Sequence, residues 1–438
     1  MIPLLLDEVA ALAPGELRRA DGVTEATGLT VDSRTVEPGD LFVAVGRGGE
    51  FAGEALAAGA AAALLPDDAF AALAAIGRAV RDRSGARVVG ITGSIAKTST
   101  KDILAALVRP HRRTVAAEGS QNNEVGLPLT LGRIEPDTEV VVLEMGMRGT
   151  GQIAELCAIA RPHVGVITKI GPVHLELLGT VERVAESKAE IVRELEPGGT
   201  AVVPAGDPLL EPYLDRTDVE VVRFGPGGDV ELAAYAPAGD RSSVAVDAFG
   251  ERVELELPFA SRHNAENLLP ALAAYGALGL PLADAAAGAP DIRLSRWRGE
   301  ELPLPGGGLL INDAYNANPL SMKAALEHLR DRADGRRTVA VLGDMAELGP
   351  DASAYHEEIG RAAAATGVAA LVAVGQLARG YLEGAGGVEV TRWVPDAEAA
   401  IAETEAVLEP GDCVLLKASR SVGLEILADA LAVEPAAR

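Results

Sequence analysis

Short, nearly uninterrupted apolar runs alternate along the chain with stretches whose apolar positions repeat every three or four residues. Runs of the first kind read as strands buried on both faces, and stretches of the second as helices covering them. The clearest pair is Val88 to Ile91, a strand, followed by a helix with Ile103, Leu104, Leu107 and Val108 on one face. The same rhythm predicts strands at 114–117, 139–145, 164–168 and 201–203, and helices at 124–131, 151–160 and 181–195. Such alternation implies a doubly wound, mostly parallel sheet with helices on both faces. Residues 219–257 alternate apolar and polar and predict an antiparallel appendage; a helix follows to about 278.

Residues 299–438 repeat the rhythm, with strands at 309–312, 338–342, 370–374, 389–393 and 413–416, and predict a second, Rossmann-like unit. The breaker-rich stretch 303–308 places its start nearby. Residues 1–84 form a smaller α/β unit, with strands at 29–34, 40–45 and 62–65 and helices at 52–58 and 69–80. The predicted fold class is therefore α/β in three domains, 1–84, 85–298 and 299–438.

The loop between the first strand–helix pair reads Thr92-Gly93-Ser94-Ile95-Ala96-Lys97-Thr98-Ser99. Backbone N–H groups at such a helix start attract phosphate. A lysine there adds a point charge for terminal phosphates, and the hydroxyl after it can hold Mg²⁺. The strict phosphate-loop pattern is not met, because Ile91 and Ala96 stand at its two glycine positions. The order strand, loop, helix still points to nucleotide binding, against the plainer reading of a βα turn with an incidental lysine. Glu144 ends one predicted strand, and His174 follows another by a Gly-Pro turn. Both fall at the carboxyl rim, where ligands of such sheets gather. Asp32-Ser33-Arg34 leaves a strand into a loop, a place to meet a diphosphate; an Asx turn with a surface arginine is the plainer alternative.

Composition narrows the classes. A net charge of −25 argues against broad nucleic-acid binding. No apolar stretch of membrane length occurs, so membrane insertion is not expected. The first residues lack the basic start of a signal peptide, and Cys157 and Cys413 read as buried thiols of a reducing compartment, so a cytoplasmic location is expected. Of 39 basic residues only six are lysine: 97, 101, 169, 188, 323 and 417. A chain that writes arginine at its surface flags each retained lysine as a candidate for amine chemistry.

Ten motifs, in order and over essentially the whole chain, resemble the Mur ligase family. They include Asp32-Ser-Arg, Gly90-Ile-Thr-Gly-Ser-x-x-Lys-Thr-Ser-Thr-Lys, Asn122-Asn-Glu-Val-Gly, Glu144-Met-Gly-Met-Arg-Gly, His174-Leu-Glu and Ser187-Lys-Ala-Glu. Further on come Arg262-His-Asn, Asn312-Asp-Ala-Tyr-Asn-Ala-Asn-Pro, Leu342-Gly-Asp-Met-Ala-Glu-Leu-Gly and Lys417-Ala-Ser-Arg. The 312–319 motif differs from that of members adding diaminopimelate or lysine, which points to the dipeptide-adding step.

The resemblance implies an ATP-dependent ligase that joins D-alanyl-D-alanine to UDP-N-acetylmuramoyl-tripeptide through an acyl phosphate, in peptidoglycan precursor synthesis. It implies a UDP-sugar-binding N-terminal domain, an ATP-binding central domain and a C-terminal ligase domain. Lys97 would bind the β- and γ-phosphates. Thr98 and Glu144 would hold one Mg²⁺, and His174 and a carbamylated Lys188 would serve a second. His263, Asn264, Asn267, Asp313 and Asn316 would meet the base and ribose. Asn122 and Asn123 would face the muramoyl peptide, Ser33 and Arg34 the UDP, and Lys417 the dipeptide's carboxylate or the released phosphate. A monomer is expected. Departures from the family pattern are Ala96 for glycine, Lys169 for asparagine, Ala418 for glycine, and Arg47-Gly-Gly-Glu-Phe near the N-terminus. At Ala96 a Cβ adds about 1–2 kcal/mol if φ is positive, with modestly weaker nucleotide binding expected. Two alternatives stay open: a superfamily ligase with another acceptor, and a non-catalytic nucleotide-binding relative.

Overall fold

The structure, a computed structural model, describes residues 1–433. Its central sheet has nine strands, in the spatial order Glu251–Leu257, Arg241–Ala248, Val230–Ala238, Glu220–Phe224, Thr200–Pro204, Val164–Ile167, Arg87–Thr92, Val140–Glu144 and Thr114–Ala116. From 220–224 to 114–116 all neighbours run parallel. The apolar run at Val88–Ile91 is continuous because both faces are covered. Val88 joins Leu127, Leu143 and Ile191 on one side, while Val89 and Ile91 join Ile103, Leu107 and Leu268 on the other.

Residues 219–257 are not an appendage. The strand Glu220–Phe224 continues the parallel ladder beside Thr200–Pro204. Beyond the glycine-rich turn at 225–228, the three strands of 230–257 extend the same sheet, pairing antiparallel with one another. Their alternation has a plain cause. Val244, Val246, Val253, Leu255 and Leu257 cover one face, shared with Leu268 and Leu272 of the helix Arg262–Ala277.

The C-terminal sheet runs Glu300–Pro303, Leu309–Asn312, Cys413–Lys417, Thr338–Gly343, Ala370–Val374, Val390–Val394. It is parallel except for its first strand, which the sequence reading missed. Residues 303–308 are the end and turn of that edge hairpin rather than a connection into the unit. Proline is tolerated there because an edge strand need not donate on its outer side. A four-stranded sheet, Gly15–Arg19, Ala62–Pro66, Asp40–Val43 and Gly28–Thr30, forms the N-terminal unit. Its helix Ala69–Arg83 shares a core with the central unit, Leu73, Ile76 and Val80 meeting Leu127, Leu131 and Ile153.

Cys157 and Cys413 are free and buried; burial pushes both thiols up, Cys413 to about 11. Among the described residues, no helix is long and apolar enough to cross a membrane.

Candidate active site

A cleft of about 1410 Å³ opens between the carboxyl ends of the central and C-terminal sheets. The phosphate loop from Ser94 to Ser99 lines it, as do Asn122, Asn123, Glu144 and His174. So do His263, Asn264 and Asn267 from the central unit and Asp313, Asn316 and Lys417 from the C-terminal one. Thr92 and Gly93 lie beneath the loop, and Lys188 is buried in the helix Val181–Arg193. Ser33 and Arg34 lie outside the cleft. They form a short 3-10 turn in which Asp32 accepts from the Arg34 amide and pairs with its guanidinium at 2.6 Å.

The loop is held in shape from several sides. Ser94 N donates to Lys169 O, Thr168 Oγ1 to Ile95 O, and Thr100 N to Ala96 O. Gly93 takes φ +147°, and a Cβ there would stand 1.9 Å from Thr168 Oγ1, so only glycine passes. Ala96 takes φ 68°, ψ −3°, the left-handed conformation that costs an alanine free energy. The helix Lys97–Val108 begins at the next residue. Lys97 Nζ rests on Gly93 O at 2.9 Å. Burial and the nearby Arg298 lower its pKa, while Glu144 pulls it back up.

Thr98 Oγ1 donates to Glu144 Oε2 at 2.7 Å, and Asn122 Nδ2 donates to the other carboxylate oxygen at 2.7 Å. Asn122 can sit this close because Gly146 has no side chain; a Cβ there would meet its Oδ1 at 2.8 Å. Asn123 Oδ1 accepts from the Gly126 amide at the start of the helix Gly126–Leu131. Arg298 completes the group. Its Nη2 reaches Thr98 Oγ1 at 2.8 Å and its guanidinium lies 4.2 Å from the Tyr315 ring centre. Its Nε is buried without a partner among the described residues, leaving a donor in the cleft wall.

Lys188 is 1% exposed despite its acidic flanks, because Val184, Ile191 and Val192 carry the same helix into the core. Burial and the charge of Lys97 hold its pKa well below the ordinary lysine range, against an opposing pull from Glu190. His174 Nδ1 meets a carboxylate oxygen of Glu347, a residue of the C-terminal unit, at 2.5 Å. Burial draws its pKa down, and Glu347 draws it back up.

Elsewhere in the cleft wall, Asn267 Nδ2 donates to Asn264 Oδ1, and Asn264 Nδ2 to Ser261 Oγ. His263 stands edge-on to His328 of the helix Pro319–Ala333, ring centres 5.5 Å apart, and burial brings its pKa down to about 3. Lys417 lines the cleft and is also tied into the C-terminal unit. Its ammonium pairs with Asp313 at 2.5 Å and donates to Asn316 O at 3.0 Å, so it shapes the 313–318 loop.

Among the described residues, no group of three or more His, Cys, Asp and Glu side chains is arranged to hold a metal. That is compatible with Mg²⁺, which keeps water and takes phosphate oxygens beside one or two protein oxygens. Thr98 Oγ1 and Glu144, adjacent at the phosphate loop, are oxygen donors of that kind. Sequence reasoning gave no role to Arg298, Tyr315 or Glu347, all of which line the cleft. Only Glu347 and Tyr315 stood inside quoted motifs.

The Mur ligase middle domain matches residues 91–275, and the Mur ligase glutamate ligase domain matches residues 297–420. The chain is 35% identical to the UDP-N-acetylmuramoyl-tripeptide–D-alanyl-D-alanine ligase of Mycobacterium tuberculosis, over 99% of this chain and 98% of that protein. It is 31% identical to the ligase of the same name from Bacillus subtilis, over 99% and 100%. MurF from Acinetobacter baumannii superposes with a TM-score of 0.86 at 28% identity, covering 98% of each chain. MurF ligase from Thermotoga maritima, solved in complex with ADP, gives 0.80 at 29% identity, over 92% of this chain and 96% of that one. A full-length match in sequence and in fold, joined to a phosphate loop facing a second Rossmann-like unit, settles the family: the chain belongs to the Mur ligases, in the branch of the UDP-N-acetylmuramoyl-tripeptide–D-alanyl-D-alanine ligases.

Proposed function

We propose that this chain is an ATP-dependent ligase joining D-alanyl-D-alanine to UDP-N-acetylmuramoyl-tripeptide in peptidoglycan precursor synthesis. The observation that carries the reading is the Thr98–Glu144–Asn122 group beside Lys97, under Arg298, in one cleft bounded by both large sheets. Relatives of that name match end to end, and one was solved with ADP.

In the reaction, the terminal carboxylate of the tripeptide attacks the γ-phosphorus of ATP and ADP leaves. The amine of the dipeptide then attacks the acyl carbon, phosphate leaves, and the ammonium loses its proton. Two anions must approach each other in the first step. Lys97 and the amides at the start of its helix bind the β- and γ-phosphates. Arg298 supplies a second fixed cation in the cleft wall, held through its Nη2 on Thr98 Oγ1. Thr98 and Glu144 would hold a Mg²⁺, which supplies charge neutralisation between the phosphates and the incoming carboxylate. His174 and Lys188 are assigned to a second ion. Burial and the charge of Lys97 shift Lys188 toward its free amine, the form that adds CO₂ to become a carbamate anion. His263, Asn264, Asn267, Asp313 and Asn316 are assigned to the base and ribose. Residues 1–84 are assigned to the UDP-sugar substrate, and their helix reaches the cleft through Phe70, Ala71 and Ala74. Closure over the cleft excludes water from the acyl phosphate. Free buried cysteines fit a reducing cytoplasm.

The test is to trap the activated acyl group. With ATP, UDP-N-acetylmuramoyl-tripeptide and hydroxylamine, but no dipeptide, a hydroxamate should form at the tripeptide's terminal carboxylate. ATP binding with no hydroxamate, and no product when the dipeptide is added, contradicts the reading.

A further inference from the structure

The contact between His174 and Glu347 joins two units of the chain whose sequence positions lie 173 apart. It is one part of a small docked surface. Arg148 Nε lies 3.8 Å from the second oxygen of Glu347, and Glu176 N donates to Glu347 O. His174 and Glu347 both take left-handed backbone conformations, φ 53° and 62°, uncommon for residues with side chains. Gly349 approaches the backbone of Leu175 and Glu176 so closely that a Cβ would stand 3.4 Å from it. With the ring neutral and Glu347 in its carboxylate form, an acceptor only, this contact places the proton on Nδ1 and leaves the Nε2 lone pair free. Metal-binding histidines are oriented in this way, the second nitrogen donating to a carboxylate.

We propose that Glu347 is a positioning residue that fixes the ring and tautomer of His174 from across the cleft, so that the histidine arm of the metal site is set only when the C-terminal unit is docked. This rests on the reading of His174 as a metal ligand. It assigns Glu347, within the Leu342–Gly349 motif, a task in the reaction rather than in stability. The loop does not need the carboxylate to hold its shape. Ala346 N donates to Ser419 Oγ at 2.9 Å, Met345 N to His356 Nε2 at 3.0 Å, and Met345 and Leu348 are buried, whereas the Glu347 side chain is 38% exposed.

The experiment titrates Mn²⁺, as a stand-in for Mg²⁺, into the full chain saturated with a non-hydrolysable ATP analogue and follows free Mn²⁺ by paramagnetic resonance. His174→Ala defines the binding step that depends on the histidine. In Glu347→Ala that step should weaken by about 10–100-fold. Glu347→Gln, whose amide oxygen still accepts from Nδ1, should recover most of it. Affinity for the nucleotide without metal should be the same in all three. In ¹⁵N-histidine spectra the parent and Glu347→Gln should show His174 protonated at Nδ1, and Glu347→Ala should not. A His174-dependent step of unchanged affinity in Glu347→Ala overturns the proposal. If His174→Ala itself alters no Mn²⁺ step, the metal role of His174 falls, and the positioning role falls with it.

Discussion

Replacing Ala96 by glycine should stabilise this protein without much changing its grip on nucleotide. At φ 68° an alanine carries about 1–2 kcal/mol of left-handed strain. Glycine removes that strain but loses about 0.4–1 kcal/mol through its freer unfolded chain. The difference is a net gain of about 0.8 kcal/mol at the midpoints, within a range of about 0–1.6 kcal/mol. Whether the gain appears in stability or in affinity depends on whether nucleotide imposes the strain. The loop's strained shape is held by contacts within the protein itself: Ser94 N on Lys169 O, Thr168 on Ile95 O and Thr100 N on Ala96 O. Strain present in both free and bound states cancels from the binding equilibrium. Urea unfolding should therefore show a higher midpoint in Ala96→Gly with an unchanged slope. The ADP dissociation constant from calorimetry should move by less than about threefold, under ~0.7 kcal/mol. A glycine variant no more stable than the parent refutes the strain argument. Tenfold tighter ADP binding with no gain in stability would show that the free loop relaxes.

Other outcomes follow from the same geometry. Glu144→Gln should keep the fold and abolish turnover, measured as phosphate release; normal turnover removes Glu144 from the site. Lys188→Ala should be inactive and partly rescued by short carboxylates such as acetate or formate, and full activity without rescue would mean the amine is a core residue only. Arg298→Ala loses a charge-assisted hydrogen bond worth about 1.5–3 kcal/mol, so kcat/KM for ATP should fall by about 10–150-fold; a change under threefold contradicts its place in the site.

The sequence was most readable where the chemistry is local. Strand, loop and helix of residues 87–108 are contiguous, and the carboxyl-rim rule put Glu144 and His174 in the same place before any contact was known. It was least readable where a role is set by distant partners. Lys188 sits between Glu186 and Glu190, the pattern of a solvated face, and only tertiary packing buries it. Arg298 is one arginine among many, and its partner Thr98 lies 200 positions away. Lys417 is a candidate through its motif and its place after a strand, but nothing in the sequence says that Asp313 pairs with it. The strands of 230–257 show their alternation plainly, yet whether they extend the sheet or stand apart depends on the helix Arg262–Ala277 covering them. The edge strand Glu300–Pro303 hid behind prolines and glycines that signal a turn just as well as a linker.

The central claim is that this cleft couples ATP cleavage to joining two peptides. It is tested most directly by measuring phosphate release with ATP and Mg²⁺ in four mixtures: no substrate, UDP-N-acetylmuramoyl-tripeptide alone, D-alanyl-D-alanine alone, and both. Sustained release only with both, matched mole for mole by UDP-N-acetylmuramoyl-pentapeptide on mass spectrometry, is the predicted result. Sustained release that does not depend on the tripeptide, or none in any mixture while ATP is bound, would contradict it.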